Sequence, residues 1–367
     1  MKVLQIIYNL GPGGAERLTV DLANELARQG HDVTLCVLRN DEEGSFGFYK
    51  NEIAQDVSYI NLRIPEGLRP GNIVILYKLI KKLKPEVVHC HLNLVNYLFP
   101  LTFIFPKIKF FNTIHSLPRS EVRSSLEYRL RKYFYSHNRM KAVTISKEVS
   151  DSFMEYYKVP SYKEIYNGRA VPKPSEKYQE VKDFVRKFRD NGDAIILHIG
   201  TCNKAKNQRL LVGAFNRAIK NGKKALLIII GSKFDSEEGN WLRNAACDKI
   251  VFLGERHNVG DYLLNSDSFC LSSEREGMPM SLIEALACGC VPVCTPVGGL
   301  KNVIVDGQTG YLAKSLSEDD YYFSLSAYLD NRDKIKKEDL IKYYYNNFSI
   351  EECVKRYVEL YSIKQAI

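Results

Sequence analysis

The chain has 367 residues, 45% of them hydrophobic, and a formal net charge of +9 at pH 7. That length suits two domains of about 170–190 residues rather than one, and the apolar content excludes a disordered or fibrous chain. The longest apolar run, Leu94 to Phe105, is interrupted by Asn96 and Pro100 and falls far short of the ~20 residues that span a bilayer. It reads as a buried helix or core segment.

Met1-Lys2 passes straight into Val3-Leu-Gln-Ile-Ile-Tyr8, which reads as a buried strand rather than a signal peptide. Nine scattered cysteines point to free thiols in a reducing, cytoplasmic compartment. Cys288, Cys290 and Cys294 cluster without a nearby histidine and read as small buried apolar residues.

In the first half, strands are expected at 3–8, 33–38, 86–90, 109–114 and 142–145, and helices at 14–29, 72–83 and 120–138. The first turn, Asn9-Leu-Gly-Pro-Gly-Gly-Ala-Glu16, precedes a helix that stops at Gly30. Backbone amides there suit a phosphate. The dinucleotide fingerprint G-x-G-x-x-G fails because Glu16 fills the third glycine position, which disfavours a dehydrogenase. His89 and His91 end one strand without a carboxylate partner, so a metal pair is not expected. Phe111-Asn-Thr-Ile-His115-Ser116 sets another histidine just after a strand. Residues 107–141 hold nine basic and two acidic side chains interleaved with aromatics, among them Tyr128, Arg129, Arg131, Lys132, Tyr133, Phe134, Tyr135, Arg139 and Lys141. A solvated basic face, an anionic membrane surface, a pyrophosphate-linked acceptor and a nucleic acid would each suit this stretch. No recognised nucleic-acid motif accompanies it.

Asn167-Gly168 is a turn signal and Val171-Pro-Lys-Pro-Ser breaks regular structure, so the domain boundary is expected within 166–193. A charged helix at 176–190 follows. Strands are then expected at 194–199, 225–230, 250–253, 268–271, 291–294 and 311–312, with helices at 207–221, 236–246, 258–264 and 280–288. Alternation of this kind is the mark of parallel α/β layers. His198-Ile-Gly200-Thr201-Cys-Asn-Lys-Ala-Lys206-Asn207 runs from strand to glycine to lysine before a helix, a plausible phosphate clamp. The amphipathic segment Ile350–Ile363 closes the chain.

Glu274-Arg-Glu276-Gly277-Met278-Pro279-Met280-Ser281-Leu-Ile-Glu284-Ala-Leu-Ala-Cys288-Gly289 carries the most information. Pro279 suits a helix start and Gly289 its left-handed stop. First-turn amides at Met280 and Ser281 lack intrahelical acceptors and, with the helix dipole, favour an anion. Gly277 allows close backbone approach. Glu276 lies before the helix and Glu284 inside it, roughly 6 Å further along the axis than Met280. The order carboxylate, free amides, carboxylate mirrors a ligand built as sugar, diphosphate, ribose.

The stretch Glu276-Gly-Met-Pro-Met-Ser-Leu-Ile-Glu284 resembles the E-x7-E motif of glycosyltransferase family 4, retaining enzymes of bacterial polysaccharide and lipopolysaccharide type. Gly13-Gly14-Ala-Glu16, His115, Val143-Thr-Ile-Ser146, Gly200 to Lys206, Leu253-Gly-Glu-Arg256, Val297-Gly298-Gly299 and Asp306-Gly-Gln-Thr-Gly310 extend the likeness along nearly the whole chain. It implies an α/β chain of GT-B architecture, two Rossmann-like domains facing a central cleft. The N-terminal acceptor domain would be 1–170 and the nucleotide-sugar donor domain 171–347, with a helix at 348–367 crossing back. A hexosyl unit would pass from a nucleotide-diphospho-sugar to the hydroxyl of a glycan or lipid-linked acceptor, without cofactor or metal.

By the same resemblance, Glu276, His115 and Lys206 are the catalytic residues. The donor would be held by Gly13, Gly14, Gly200, Thr201, Lys206, Arg256, Gly277, Met278, Met280, Ser281 and Glu284. Glu276 would hold sugar hydroxyls, Glu284 the ribose diol, Lys206 the diphosphate, and His115 the transferred sugar, while Glu16 caps its helix. Retention by covalent double displacement and by same-face attack both stay open. The sequence departs from the family at Thr201, where an arginine is usual, and at Asn302, where a glutamate is common. Lys204 or Arg209 are candidates for the missing charge. A noncatalytic nucleotide-sugar-binding protein and a sugar-nucleotide epimerase of the same fold are the alternatives. Residues 107–141 would attach the chain peripherally to the inner face of an anionic membrane.

Overall fold

The computed structural model describes residues 1–65, 67, 69–159 and 163–363. The segments read above as 1–170 and 348–367 therefore include positions, 66, 68, 160–162 and 364–367, that lie outside the described residues. The chain divides into two compact units, Met1–Arg169 with Ile350–Ile367, and Ala170–Ser349.

The first unit is built on seven parallel strands: β1 (Lys2–Ile7), β2 (Asp32–Val37), β3 (Ser58–Asn61), β4 (Val87–His91), β5 (Lys109–Ile114), β6 (Lys141–Thr144) and β7 (Lys163–Glu164). Their order is β3-β2-β1-β4-β5-β6-β7. The helix Gly14–Arg28 connects β1 to β2 and is covered by the final helix Ile350–Ser362, whose Cys353, Val354, Tyr357 and Tyr361 are buried.

The second unit has six parallel strands: β8 (Ala194–Ile199), β9 (Ala225–Ile230), β10 (Ile250–Gly254), β11 (Ser268–Leu271), β12 (Val291–Cys294) and β13 (Tyr311–Leu312), ordered β10-β9-β8-β11-β12-β13. The run Ala-Leu-Leu-Ile-Ile-Ile of β9 is buried throughout. Continuous apolar strands are what a parallel sheet covered on both faces demands. Each sheet reverses its direction of growth once, between β1 and β4 in the first unit and between β8 and β11 in the second. Ligands of open parallel sheets bind outside the carboxyl ends of the strands at such a reversal.

The strands of the second half fall within a residue of expectation. The first half departs from it at one expected helix. The helix expected over 120–138 is broken into Pro118–Glu121 and Ser125–Ser136, because Val122 is extended and Ser124 starts a new helix. The Ser124 hydroxyl accepts from the Glu127 amide at 3.2 Å, and the Glu127 carboxylate accepts from the Arg123 amide at 2.9 Å. The Ser-x-x-Glu spacing of a capping box is in the sequence, with the glutamate reaching the amide before the cap in place of the cap's own. The apolar run 94–105 forms the helix Val95–Ile104 with Pro100 inside it. Helices Lys147–Tyr157, Glu318–Asp330 and Lys337–Asn347 and the short strands β3 and β7 add to the expected elements. Among the described residues no helix is long and apolar enough to cross a membrane.

Candidate active site

In the second unit, the loops after β8 and β11 meet at the sheet reversal. They are tied by backbone: the Glu274 amide donates to the Ala205 carbonyl at 2.8 Å, and the Ser272 hydroxyl donates to the Lys206 carbonyl at 2.9 Å. Across this seam the Lys206 ammonium bonds Glu276 Oε1 at 2.6 Å, and the Ser273 hydroxyl donates to the same oxygen at 2.6 Å. The Lys206 side chain is 25% exposed and that of Glu276 10%, so the pair is partly desolvated yet reachable. Gly200 follows β8 beside the lysine; a Cβ there would lie 3.2 Å from His198 Nε2 and in ordinary contact with the Lys206 stem.

The helix Met280–Ala287 starts beside the ion pair. Pro279 is its N-cap rather than its first helical residue, with φ −71° and ψ 123°, and no side chain caps it. Amides of Leu282 and Ile283 turn to the Pro279 carbonyl, which leaves those of Met280 and Ser281 without intrahelical acceptors. Gly289, at φ 72°, ends the helix as expected. Met278 is buried, while Met280, Ser281 and Glu284 are half-buried along the start and flank of the helix. Behind them, the Gly299 amide donates to the Gly277 carbonyl at 2.9 Å. A Cβ at Gly299 would sit 2.1 Å from that oxygen, so only glycine lets the loop after β12 support Gly277.

The expected replacements for an arginine at Thr201 are placed differently. The Thr201 hydroxyl bonds Ser232 at 3.1 Å. Arg209 makes a two-pronged ion pair with Glu238 at 2.7 and 2.6 Å and stacks over Trp241, so it serves the outer surface. Lys204 is exposed. Arg256 is exposed too and donates to the Glu255 carbonyl at 3.1 Å. Asn302 is half-buried and donates its amide to the Gly299 carbonyl. Lys206 is thus the cation that the structure sets at the seam.

In the first unit, Gly13 is the N-cap of Gly14–Arg28, and the Glu16 carboxylate folds back over it so closely that a Cβ on Gly13 would overlap it. Burial raises the Glu16 carboxyl above its ordinary range, offset by a bond to its own amide. Glu16 therefore does cap the helix start, beside the exposed Gly14. His115 follows β5 and is half-buried, and Nε2 of its ring lies 3.1 Å from His91 Nδ1. Packing around these rings lowers His115 and His89 to about 3 and His91 well below its ordinary value, so all three are neutral at pH 7. Both nitrogens of His89 and of His91 are occupied by protein partners, which answers the question of a metal pair there.

A cavity of about 570 Å³ opens near the β1–β4 reversal, lined in part by Tyr8, Asn9, Arg39, Asn93, Asn96 and Arg123. The basic stretch beside it is less exposed than its composition suggests. Arg131 is 1% exposed and bonds Glu127 at 2.6 Å, Asn93 at 3.0 Å and Glu121 at 3.4 Å, while Phe134 and Tyr135 join the core. What remains outside on the helix Ser125–Ser136 is a stripe at helical spacing, Leu126, Arg129, Leu130 and Tyr133.

Two family models match the chain. Residues 12–170 match Glycosyltransferase Family 4 and residues 180–347 match Glycosyl transferases group 1, leaving outside only 1–11, 171–179 and 348–367. The chain belongs to the family-4 glycosyltransferases. An uncharacterized glycosyltransferase of Haemophilus influenzae is 23% identical over 97% of this chain and 98% of its own. The N-acetyl-alpha-D-glucosaminyl L-malate synthase of Bacillus anthracis is 35% identical, but the match spans 33% of this chain and 32% of that one. A Campylobacter jejuni N-acetylgalactosaminyltransferase acting on a diphospho-undecaprenol is 32% identical over 40% of each chain. Among solved structures, Anabaena HepE in complex with UDP superposes with a TM-score of 0.79 at 15% identity, covering 99% of this chain and 100% of that one. That likeness establishes the GT-B fold of this glycosyltransferase: two Rossmann-like α/β units, each with a parallel sheet.

Several residues that shape the candidate site and its first-unit counterpart escaped the sequence reading. Ser273 holds Glu276; its one signal was its place just past an apolar strand. Gln208 donates to the Thr201 carbonyl at 3.1 Å, and Gln5 and Tyr361 support the histidines of the first unit. Nothing in local sequence links these partners, since Gln5 and Tyr361 lie at opposite ends of the chain.

Proposed function

We propose that the chain transfers a hexosyl unit from a nucleotide-diphospho-sugar to a hydroxyl acceptor with retention at the anomeric carbon. The observation that carries this reading is the Lys206–Glu276 pair beside the open amides of Met280 and Ser281 at the β8–β11 reversal. The diphosphate would replace Glu276 as partner of Lys206 and take the helix amides, since a dianion outcompetes one carboxylate for both. Glu276, held by Ser273, is then free to accept from sugar hydroxyls and to face positive charge growing at the anomeric carbon. Glu284, one helical turn on, takes the ribose diol, and His115 takes a hydroxyl of the transferred sugar. Charge on the leaving nucleoside diphosphate is met by Lys206 and backbone dipoles fixed before reaction, the most effective form of electrostatic catalysis. The reaction is thereby metal-independent.

The acceptor is a glycan or lipid-linked intermediate of surface polysaccharide synthesis. This follows the chemistry named for the Campylobacter relative, and it suits the exposed Leu126, Leu130 and Tyr133 beside Arg129 as an attachment to an anionic membrane surface. A panel of nucleotide sugars screened by thermal stabilisation, followed by NMR of the product's anomeric configuration, tests the reading. Stabilisation by one donor and a retained product support it; an inverted product, or no stabilisation by any nucleotide, overturns it. Thr201 in the arginine position and Arg209 bound to Glu238 favour a second reading, donor binding without transfer. Binding with neither transfer nor hydrolysis would establish that one.

A further inference from the structure

The first unit holds a continuous chain of buried hydrogen bonds that begins on the final helix and ends at His115. Tyr357 and Tyr361, one turn apart on Ile350–Ser362, point into the sheet. Tyr357 OH meets Thr113 Oγ1 at 2.9 Å, and Thr113 Oγ1 meets His89 Nε2 at 2.7 Å. His89 Nδ1 meets Tyr361 OH at 2.6 Å, and Tyr361 OH accepts from Gln5 Nε2 at 3.3 Å. Gln5 Oε1 then meets His91 Nε2 at 2.9 Å, and His91 Nδ1 meets His115 Nε2 at 3.1 Å. Gln5, His89, His91, Thr113, Tyr357 and Tyr361 have no accessible surface, so each bond must be made within the chain.

Such a chain has one polarity, because each neutral imidazole carries one proton and each hydroxyl donates once. The amide oxygen of Gln5 can only accept, so His91 bears its proton on Nε2. His91 Nδ1 is then a bare acceptor, and His115 must donate to it from Nε2. The remaining nitrogen of His115, Nδ1, is left with its lone pair and has no hydrogen-bond partner among the described residues. What holds Gln5 in this sense is Tyr361. Its oxygen accepts from the amide NH2 while its own proton goes to His89 Nδ1, and the same direction continues through His89 Nε2–H to Thr113 and on to Tyr357. Turning the Gln5 amide over would reverse every proton, and His115 would present Nδ1–H instead.

We propose that Gln5 and Tyr361 are positioning residues that fix His115 as the Nε2–H tautomer, through His91, so that its Nδ1 accepts from a hydroxyl of the transferred sugar. The C-terminal helix, by this account, sets the proton on a residue at the carboxyl edge of the sheet. The proposal rests on the reading of His115 as a sugar contact only for its functional half; the tautomer itself is a property of the protein without ligand.

The test is long-range proton–nitrogen NMR of the full chain labelled with nitrogen-15 histidine, which carries seven histidines. His198 is the internal standard, since its Nδ1 donates to the Cys270 carbonyl at 2.9 Å and must show the opposite tautomer. The expected spectrum has His115, His91 and His89 protonated on Nε2 and His198 on Nδ1. His115 protonated on Nδ1 overturns the proposal whatever the kinetics. Tyr361→Phe keeps the ring and removes the hydroxyl that orients Gln5, and Gln5→Leu removes the amide itself. Both should convert His115 wholly or partly to Nδ1–H and lower kcat about 10-fold, the scale of one hydrogen bond, with donor KM little changed. Unchanged tautomers in both variants overturn the proposal. Converted tautomers with undiminished kcat leave the relay standing and overturn the sugar role of His115.

Discussion

The two sheets share a strand order through their first six strands and differ in what stands at the reversal. At β1–β4 the side chains are neutral, buried and ordered by hydrogen bonds: Gln5, His89, His91 and, at the edge, His115. At β8–β11 they are a partly exposed ion pair, Lys206 and Glu276, beside open helix amides. One topology gives both units the same address for a ligand, and the side chains there give each address its chemistry. Mobile charge and free amides suit a diphosphate that must be held and released. A fixed lone pair suits the recognition of a hydroxyl, where a charge would be wasted on solvent. The comparison also explains why burial is tolerated in one case only: a neutral network costs little once every group is satisfied, whereas an unpartnered buried ion costs several kcal/mol.

The contrast breaks most sharply at Arg131, the one fully buried cation of the basic stretch. Arg131→Ala leaves Glu121 buried without its counter-charge and should destabilise the first unit by about 3–5 kcal/mol, read from urea midpoints; an unchanged midpoint would show that the network is not needed for folding. Glu276→Ala should lower kcat by about 10²–10³-fold with the fold intact, and wild-type turnover would remove the seam from the mechanism. Lys206→Ala should weaken nucleoside diphosphate binding by about 10- to 100-fold, the scale of a charge-assisted bond. Glu284→Gln should weaken it about tenfold, with calorimetry as the measure for both.

The neutral side of the comparison is sharpened by pH. His89 and His198 titrate at about 3 and about 4 in the folded chain against an ordinary 6.5, and burial also lowers His91 well below that value. Below about pH 6.5 the unfolded chain binds protons that the folded chain refuses, so stability is full above that pH and falls as pH drops toward 4. Each of these histidines contributes a slope of about 1.4 kcal/mol per pH unit. Denaturant midpoints that stay level from pH 7 to 5 would refute the buried neutral state. The smallest expected effect is that of EDTA, which should leave turnover unchanged; loss of activity restored by a divalent cation would overturn the metal-free reading.

Much of the second unit was legible because its signals are local. Apolar runs gave β8, β9, β11 and β12, and Gly277, Pro279 and Gly289 bounded the helix start and stop that carry the candidate site. The first unit was less legible where one composition serves two roles. Arg131 looks like its neighbours Arg129 and Lys132 in the sequence, and only the Ser124–Glu127 cap, which restarts the helix, turns it inward.

By itself, then, the sequence determined the α/β alternation, the glycine turns at the carboxyl ends of the strands and the carboxylates placed around one helix start. These depend on backbone preferences and periodicity over a few residues. The tertiary structure alone decided which charges meet: that Lys206 pairs with Glu276, that Arg209 is taken by Glu238, and that Tyr361 reaches Gln5 across the length of the chain. Those outcomes depend on which loops a parallel sheet brings side by side. Strand order sets that arrangement, and short-range residue patterns do not record it.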